Sequence, residues 1–220
     1  MPRTRPKTPG RRKAAAATAR RAPERELLSP DAWLDAAGLA IAEGGFDNVR
    51  VLTLAKRLGV TRGSFYWHFA DHAELIARFL ERWRDRRLAE LAYLAANPDP
   101  NESELRRVFR LVLREPARNA RQMRVELAVR EFARRDAHAA RIVAEVDRAR
   151  IEHVTGFLRD AGVDEAQTRD LALLVYVATI GGRVVLTAFP EHEPAIERIE
   201  QLIVELIAGR RGGRADSAVA

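Results

Sequence analysis

The stretch Val51-Leu-Thr-Leu-Ala-Lys-Arg-Leu-Gly-Val-Thr-Arg-Gly-Ser-Phe-Tyr-Trp-His-Phe69 decides the fold, because it reads as a helix, a turn and a second helix. A short helix from about Val51 to Leu58 stops at Gly59, which supplies the left-handed backbone that a tight inter-helical turn needs. Thr61 is placed to cap the next helix, Arg62 to His68. Two short helices crossing steeply need a small residue at the crossing and apolar pins behind it; Ala55 supplies the first, and Leu54, Leu58, Val60, Phe65 and Phe69 the rest. At about 100° per residue Phe65 and Phe69 share an inward face, which leaves Gly63, Ser64, Tyr66 and Trp67 outside or on its flanks. An exposed Tyr-Trp pair beside Thr61 and a helix N-terminus suits contact with a phosphate backbone, and Gly63 allows close approach.

The charge pattern points the same way. Arg50, Lys56, Arg57 and Arg62 are positive, while no Asp or Glu occurs between Asn48 and Ala70. The net charge of +7 lies elsewhere: residues 1–27 carry nine Arg and Lys against Glu24 and Glu26, so the remainder is neutral overall. With Pro, Ala and no apolar face, that segment reads as a disordered basic arm, which serves either as a solubilising tail or to add affinity for nucleic acid.

Outward from the motif, good helix formers dominate the 220 residues and no strand-like alternation stands out. Ser29 as cap and Pro30 at the first helical position open a helix that stops at Gly44-Gly45, with Trp33, Leu34, Ala37 and Ile41 on one face. Asp71 with Glu74 forms a capping box that opens a long fourth helix bearing Ile76, Phe79, Leu80, Trp83, Leu91 and Leu94. Further helices are expected at 102–114, 117–135, 137–161, 165–188 and 192–208, for a total of about nine. The Gly- and Arg-containing end after Ala208 should fray.

Several functions are excluded by what is missing. Without cysteine there is no disulfide scaffold, thiolate metal site or cysteine nucleophile. The longest charge-free apolar stretch, Leu171 to Gly182, falls short of the ~20 residues of a membrane span. A signal-peptide core is absent, so the reading is a cytoplasmic protein with no membrane partner. His68 and His72 are four apart, but the helix break expected at Ala70-Asp71 spoils a metal pair and no third ligand is evident. His138, His153 and His192 are scattered, and no catalytic triad, glycine-rich phosphate loop or paired-carboxylate motif stands out. No enzyme activity, metal or cofactor is expected.

From residue 29 to 76 the chain closely resembles the tetracycline-repressor (TetR) family of regulators. The likeness is carried by Trp33-Leu34-Asp35-Ala36-Ala37, Glu43-Gly44-Gly45-Phe46, Leu54-Ala55, Gly59-Val60-Thr61 and Phe65-Tyr66-Trp67-His68-Phe69, in order and spacing. It implies a recognition helix entering the major groove of double-stranded DNA, with Thr61, Ser64, Tyr66 and His68 mainly on phosphates and Arg62 and Trp67 nearer base edges. Arg50 stands where the family often has a capping Ser or Thr, which replaces a cap by a phosphate contact; His72 stands where it often has a phosphate-binding Lys. Two such helices about one DNA turn (~34 Å) or a multiple apart imply a palindromic operator.

The resemblance further implies a helical body that holds a small-molecule effector and pairs with a second copy through the last two helices. Glu126, Phe132, His153, Tyr176 and Thr179 stand in otherwise apolar helical segments and are the candidates to face an effector. Leu173, Val177, Val184 and Leu186, with Ile196, Ile199, Ile203 and Leu206, suit an intermolecular four-helix bundle, although a monomer core would use the same pattern.

The expectation is therefore an all-α protein: a basic arm (1–27), a three-helix helix-turn-helix DNA-binding domain (28–75), a helical effector-binding and dimerisation domain (76–209) and a tail (210–220). Its function is that of a ligand-responsive repressor, in which effector binding tilts the fourth helix and moves the reading helices out of register. An architectural DNA binder without effector would leave the neutral body without purpose, and a small helical enzyme lacks a catalytic constellation.

Overall fold

The computed structural model describes residues 28–98, 116–186 and 193–209. Among them are eight α-helices and no strand: α1 (Pro30–Gly44), α2 (Val51–Arg57), α3 (Arg62–Phe65), α4 (His72–Ala96), α5 (Pro116–Ala133), α6 (Ala137–Asp160), α7 (Glu165–Leu186) and α8 (Glu193–Ala208). A single 3-10 turn, Phe46–Asn48, follows α1. The basic arm, the tail and the helix expected at 102–114 lie outside the described residues.

The helix boundaries follow from local chemistry. Ser29 accepts a hydrogen bond from the Ala32 amide at 3.4 Å, with Pro30 at the first helical position. Asp71 accepts from the Glu74 amide at 2.8 Å, and the Glu74 carboxylate reaches back to the Ala70 amide at 2.6 Å, so the cap of α4 is reciprocal. Gly45 (φ 73°) and Gly59 (φ 67°) adopt the left-handed backbone that turns the chain after α1 and α2. Two expectations are corrected. Thr61 sits at the N-cap of α3 without a side-chain capping bond, and α3 ends at Phe65 rather than His68. The amides of His68 and Phe69 both donate to the Phe65 carbonyl, which tightens the last turn as Phe69 swings into the core.

The N-terminal helices close around Trp33, Leu54, Phe65 and Leu75, none of them exposed to solvent. Phe65 meets Trp33 edge-on at 5.3 Å and stacks on Phe69 at 5.3 Å. Removing so enclosed a ring costs about 3–5 kcal/mol, a large share of a domain's stability. That core does not stop at the start of α4. It continues through Phe79, Leu80 and Trp83 into Val129 of α5 and Ile142 and Val146 of α6. Arg82 of α4 pairs with Asp31 and Asp35 of α1, which ties the outer side of the same junction. A second core, formed by Val154 and Leu158 of α6, Leu171, Ala172 and Val175 of α7, and Ile203 and Ile207 of α8, fills the far end.

Candidate nucleic-acid interface

The face presented by α2, α3 and the following turn is aromatic and cationic. Trp67 is 81% exposed and Tyr66 51% exposed, although Phe65 and Phe69 on either side are buried. Arg50, Thr61, Arg62 and Gly63 are exposed and Ser64 half-buried, and a hydrogen bond joins Arg62 to Tyr66. Arg50 makes no side-chain cap to α2; its Nε donates to the Asp47 carbonyl at 3.2 Å. Leu52 of α2, which the sequence reading passed over, is 65% exposed on this domain. The two histidines stand differently. The Nε2 of His68 is buried, and the Nε2 of His72 lies 2.6 Å from the Val49 carbonyl, fastening α4 to the segment before α2. α3 closes before Phe69, between the two histidines, and no group of three or more His, Cys, Asp or Glu residues that could hold a metal ion occurs among the described residues.

The family model described as bacterial regulatory proteins, tetR family, matches residues 34–79. Over those residues the chain is similar to the tetR family. A transcriptional regulator from Rhodococcus sp. Rha1 superposes with a TM-score of 0.67 at 23% identity, over 84% of this chain and 100% of that one. A transcriptional regulator from Saccharomonospora viridis, solved in complex with choline, gives 0.65 at 22% identity over 81% and 95%. SmeT, the repressor of the Stenotrophomonas maltophilia multidrug efflux pump SmeDEF, gives 0.52 at 20% identity over 83% and 89%. A comparison with curated proteins finds no match. The fold of this chain is thus shared with these solved regulators beyond residues 34–79, through the helical body.

In the helical body, one group of charged side chains is turned inward. Glu126 of α5, 1% exposed, is clasped by the Arg150 guanidinium of α6 at 2.5 and 3.0 Å and accepts from Arg130 at 2.9 Å. Arg130 also donates to Asp147 of α6 at 2.6 and 3.0 Å and to the hydroxyl of Tyr176 of α7 at 2.8 Å. That hydroxyl donates in turn to Asp147 at 2.5 Å. Burial by itself would raise the Glu126 carboxyl, but the guanidiniums of Arg150 and Arg130 outweigh it and hold it at about 2. Burial and the Asp147 bond push the Tyr176 phenol up. On α4, Arg87 is 8% exposed; burial lowers it, against the opposing pull of Glu90 and Glu126.

Of the five effector candidates, Glu126 and Tyr176 therefore meet in one network through Arg130. Phe132 does not join them. It stacks on Phe46 at 4.2 Å, beneath Arg135, at the junction with the DNA-binding domain. Thr179 is buried and donates to the Val175 carbonyl, and His153 is half-buried on α6. Sequence reading missed Arg87, Arg130, Asp147 and Arg150, yet a signal existed. Arg150 stands four residues from each of Val146 and Val154 on the buried stripe of α6, and Glu126 stands between Met123 and Val129 on that of α5.

The last two described helices keep an apolar strip outside. Leu173, Leu174, Val177, Val184 and Val185 of α7 and Leu202 and Leu206 of α8 are exposed. Ile203, by contrast, is buried within this chain's second core, with Ile199 partly buried against it.

Proposed function

We propose that this protein is a cytoplasmic, ligand-responsive repressor that binds a palindromic DNA operator as a dimer, through a DNA-binding domain at 28–75 and a sensing and dimerising body at 76–209. The observation that carries the proposal is the exposed Tyr66-Trp67 pair beside Arg62, which meets no carboxylate among the described residues, on a helix-turn-helix whose other aromatic residues are buried. Arg62 and Trp67 approach the bases, and Arg50, Thr61, Gly63, Ser64, His68 and His72 the backbone, with His72 also fastening the start of α4 to Val49. Dimerisation uses the exposed apolar residues of α7 and α8, whose number on two neighbouring helices favours cover by a second copy. The effector acts on the Glu126–Tyr176 network. Arg87 lies in electrostatic reach of Glu126 and Arg150, so a change in that network bears on α4, whose first residue is bonded to Val49 of the reading domain.

The test begins with selection of bound sites from random DNA at fixed salt, followed by footprinting with and without candidate ligands. A two-fold symmetric site is expected, released by some ligands. Sedimentation of Val177→Glu, which puts a charge into the exposed strip, should show monomers that no longer hold that site. Binding without sequence preference would instead favour an architectural role, and a folded, dimeric Val177→Glu would move the interface elsewhere.

A further inference from the structure

Resting on the reading of α3 as the DNA-facing helix, we propose that Tyr66 is a positioning residue: it holds the Arg62 guanidinium in the orientation that reads a guanine at one fixed position of each operator half-site. Arg62 and Tyr66 are one helical turn apart, and the Arg62 Nη2 donates to the Tyr66 hydroxyl at 3.0 Å. The guanidinium carbon also lies 5.8 Å from the centre of the Tyr66 ring. The ring is itself anchored. It stands edge-on to Phe65 at 5.2 Å, and Phe65 is fully buried against Trp33 and Phe69. A rigid aromatic side chain therefore carries the fixed geometry of the core out to a flexible arginine on the surface.

The partner's chemistry matters as much as its place. Arg57, nearby, spends its charge on Glu43 at 2.6 Å. Arg62 among the described residues pairs with no carboxylate, only with a neutral hydroxyl that orients it without cancelling its charge. One of its five N–H groups is used, and a complete pair of parallel donors remains for a planar acceptor. The O6 and N7 atoms of guanine, side by side in the major groove, are the base edge that such a fork fits. Gly63 agrees with this placement. A Cβ there would meet nothing nearer than the Thr61 hydroxyl at 3.7 Å, so the interior does not ask for glycine beside Arg62, whereas close approach of the backbone to DNA does.

The test uses the full chain and the operator selected above, with each half-site base replaced in turn. For the native protein, one guanine should cost roughly tenfold or more in affinity when replaced. Tyr66→Phe keeps the ring and loses the hydroxyl; it should lower discrimination at that guanine several-fold and leave nonspecific binding unchanged. Arg62→Ala and Arg62→Lys should abolish discrimination at the same position, and adding Tyr66→Phe to Arg62→Ala should change nothing further. Circular dichroism checks that each variant is folded. Equal loss on every sequence for Tyr66→Phe, additive with Arg62→Ala, would make Tyr66 a backbone contact and overturn this inference alone. Failure of the native protein to select any sequence would overturn the proposed function as well.

Discussion

Arginine does opposite work at the two ends of this molecule. At the reading face Arg62 is exposed and, among the described residues, meets the hydroxyl and ring of Tyr66 but no carboxylate, so its charge is left for a partner outside the chain. In the body Arg130 and Arg150 are turned inward and enclosed by Glu126, Asp147 and Tyr176, so their charge is answered within the chain. The difference teaches that neither residue type nor charge count indicates function. What decides it is whether the tertiary structure supplies a counter-charge.

That contrast can be broken most severely at Glu126. Glu126→Ala leaves the Arg150 guanidinium buried without its carboxylate and should cost about 3–5 kcal/mol of stability in chemical denaturation. Arg62→Ala should change stability by less than about 0.5 kcal/mol while removing sequence discrimination on DNA. Similar stability losses at both sites would erase the distinction.

A pH series sharpens it next. The Glu126 carboxyl is lowered from 4.5 to about 2, so its contribution is complete above the unfolded value of 4.5 and is lost as the pH falls toward about 2. The contribution is on the order of 3 kcal/mol, since each unit is worth about 1.4 kcal/mol. Denaturation of the native protein and of Glu126→Gln at several pH values should therefore show a stability gap that narrows on acidification. Parallel curves would place the acid sensitivity elsewhere.

The smallest effect is expected at the reading face, where Gly63→Ala should raise thermal stability by up to about 1 kcal/mol through the better helix former, and yet weaken operator binding. A variant that is both more stable and as tightly bound would remove the close backbone approach from the account.

The reading domain was legible in the sequence because its determinants are local. Gly59 and Gly45 mark turns by their backbone, Ser29 and Asp71 cap helices within three residues, and the spacing of Phe65 and Phe69 leaves Tyr66 and Trp67 outside. None of these depends on where a distant helix lies. Thr61 was the exception, since its fit to a cap position did not ensure the bond.

The body was legible only as a set of helices, because its decisive contacts join residues far apart in the chain. Glu126 meets Arg150 and Arg130 meets Tyr176 only once α5, α6 and α7 have taken a particular register, and no spacing along one helix specifies that. Phe132, one apolar residue among many on α5, is drawn to Phe46 by the way α5 crosses the end of α1. On α8, Leu202 and Ile203 are equally apolar neighbours, yet the first is 63% exposed and the second 9%. A helix with apolar residues on two faces tells from its sequence that both need cover. Which face is covered by its own chain, and which is left for another, is decided by tertiary packing alone.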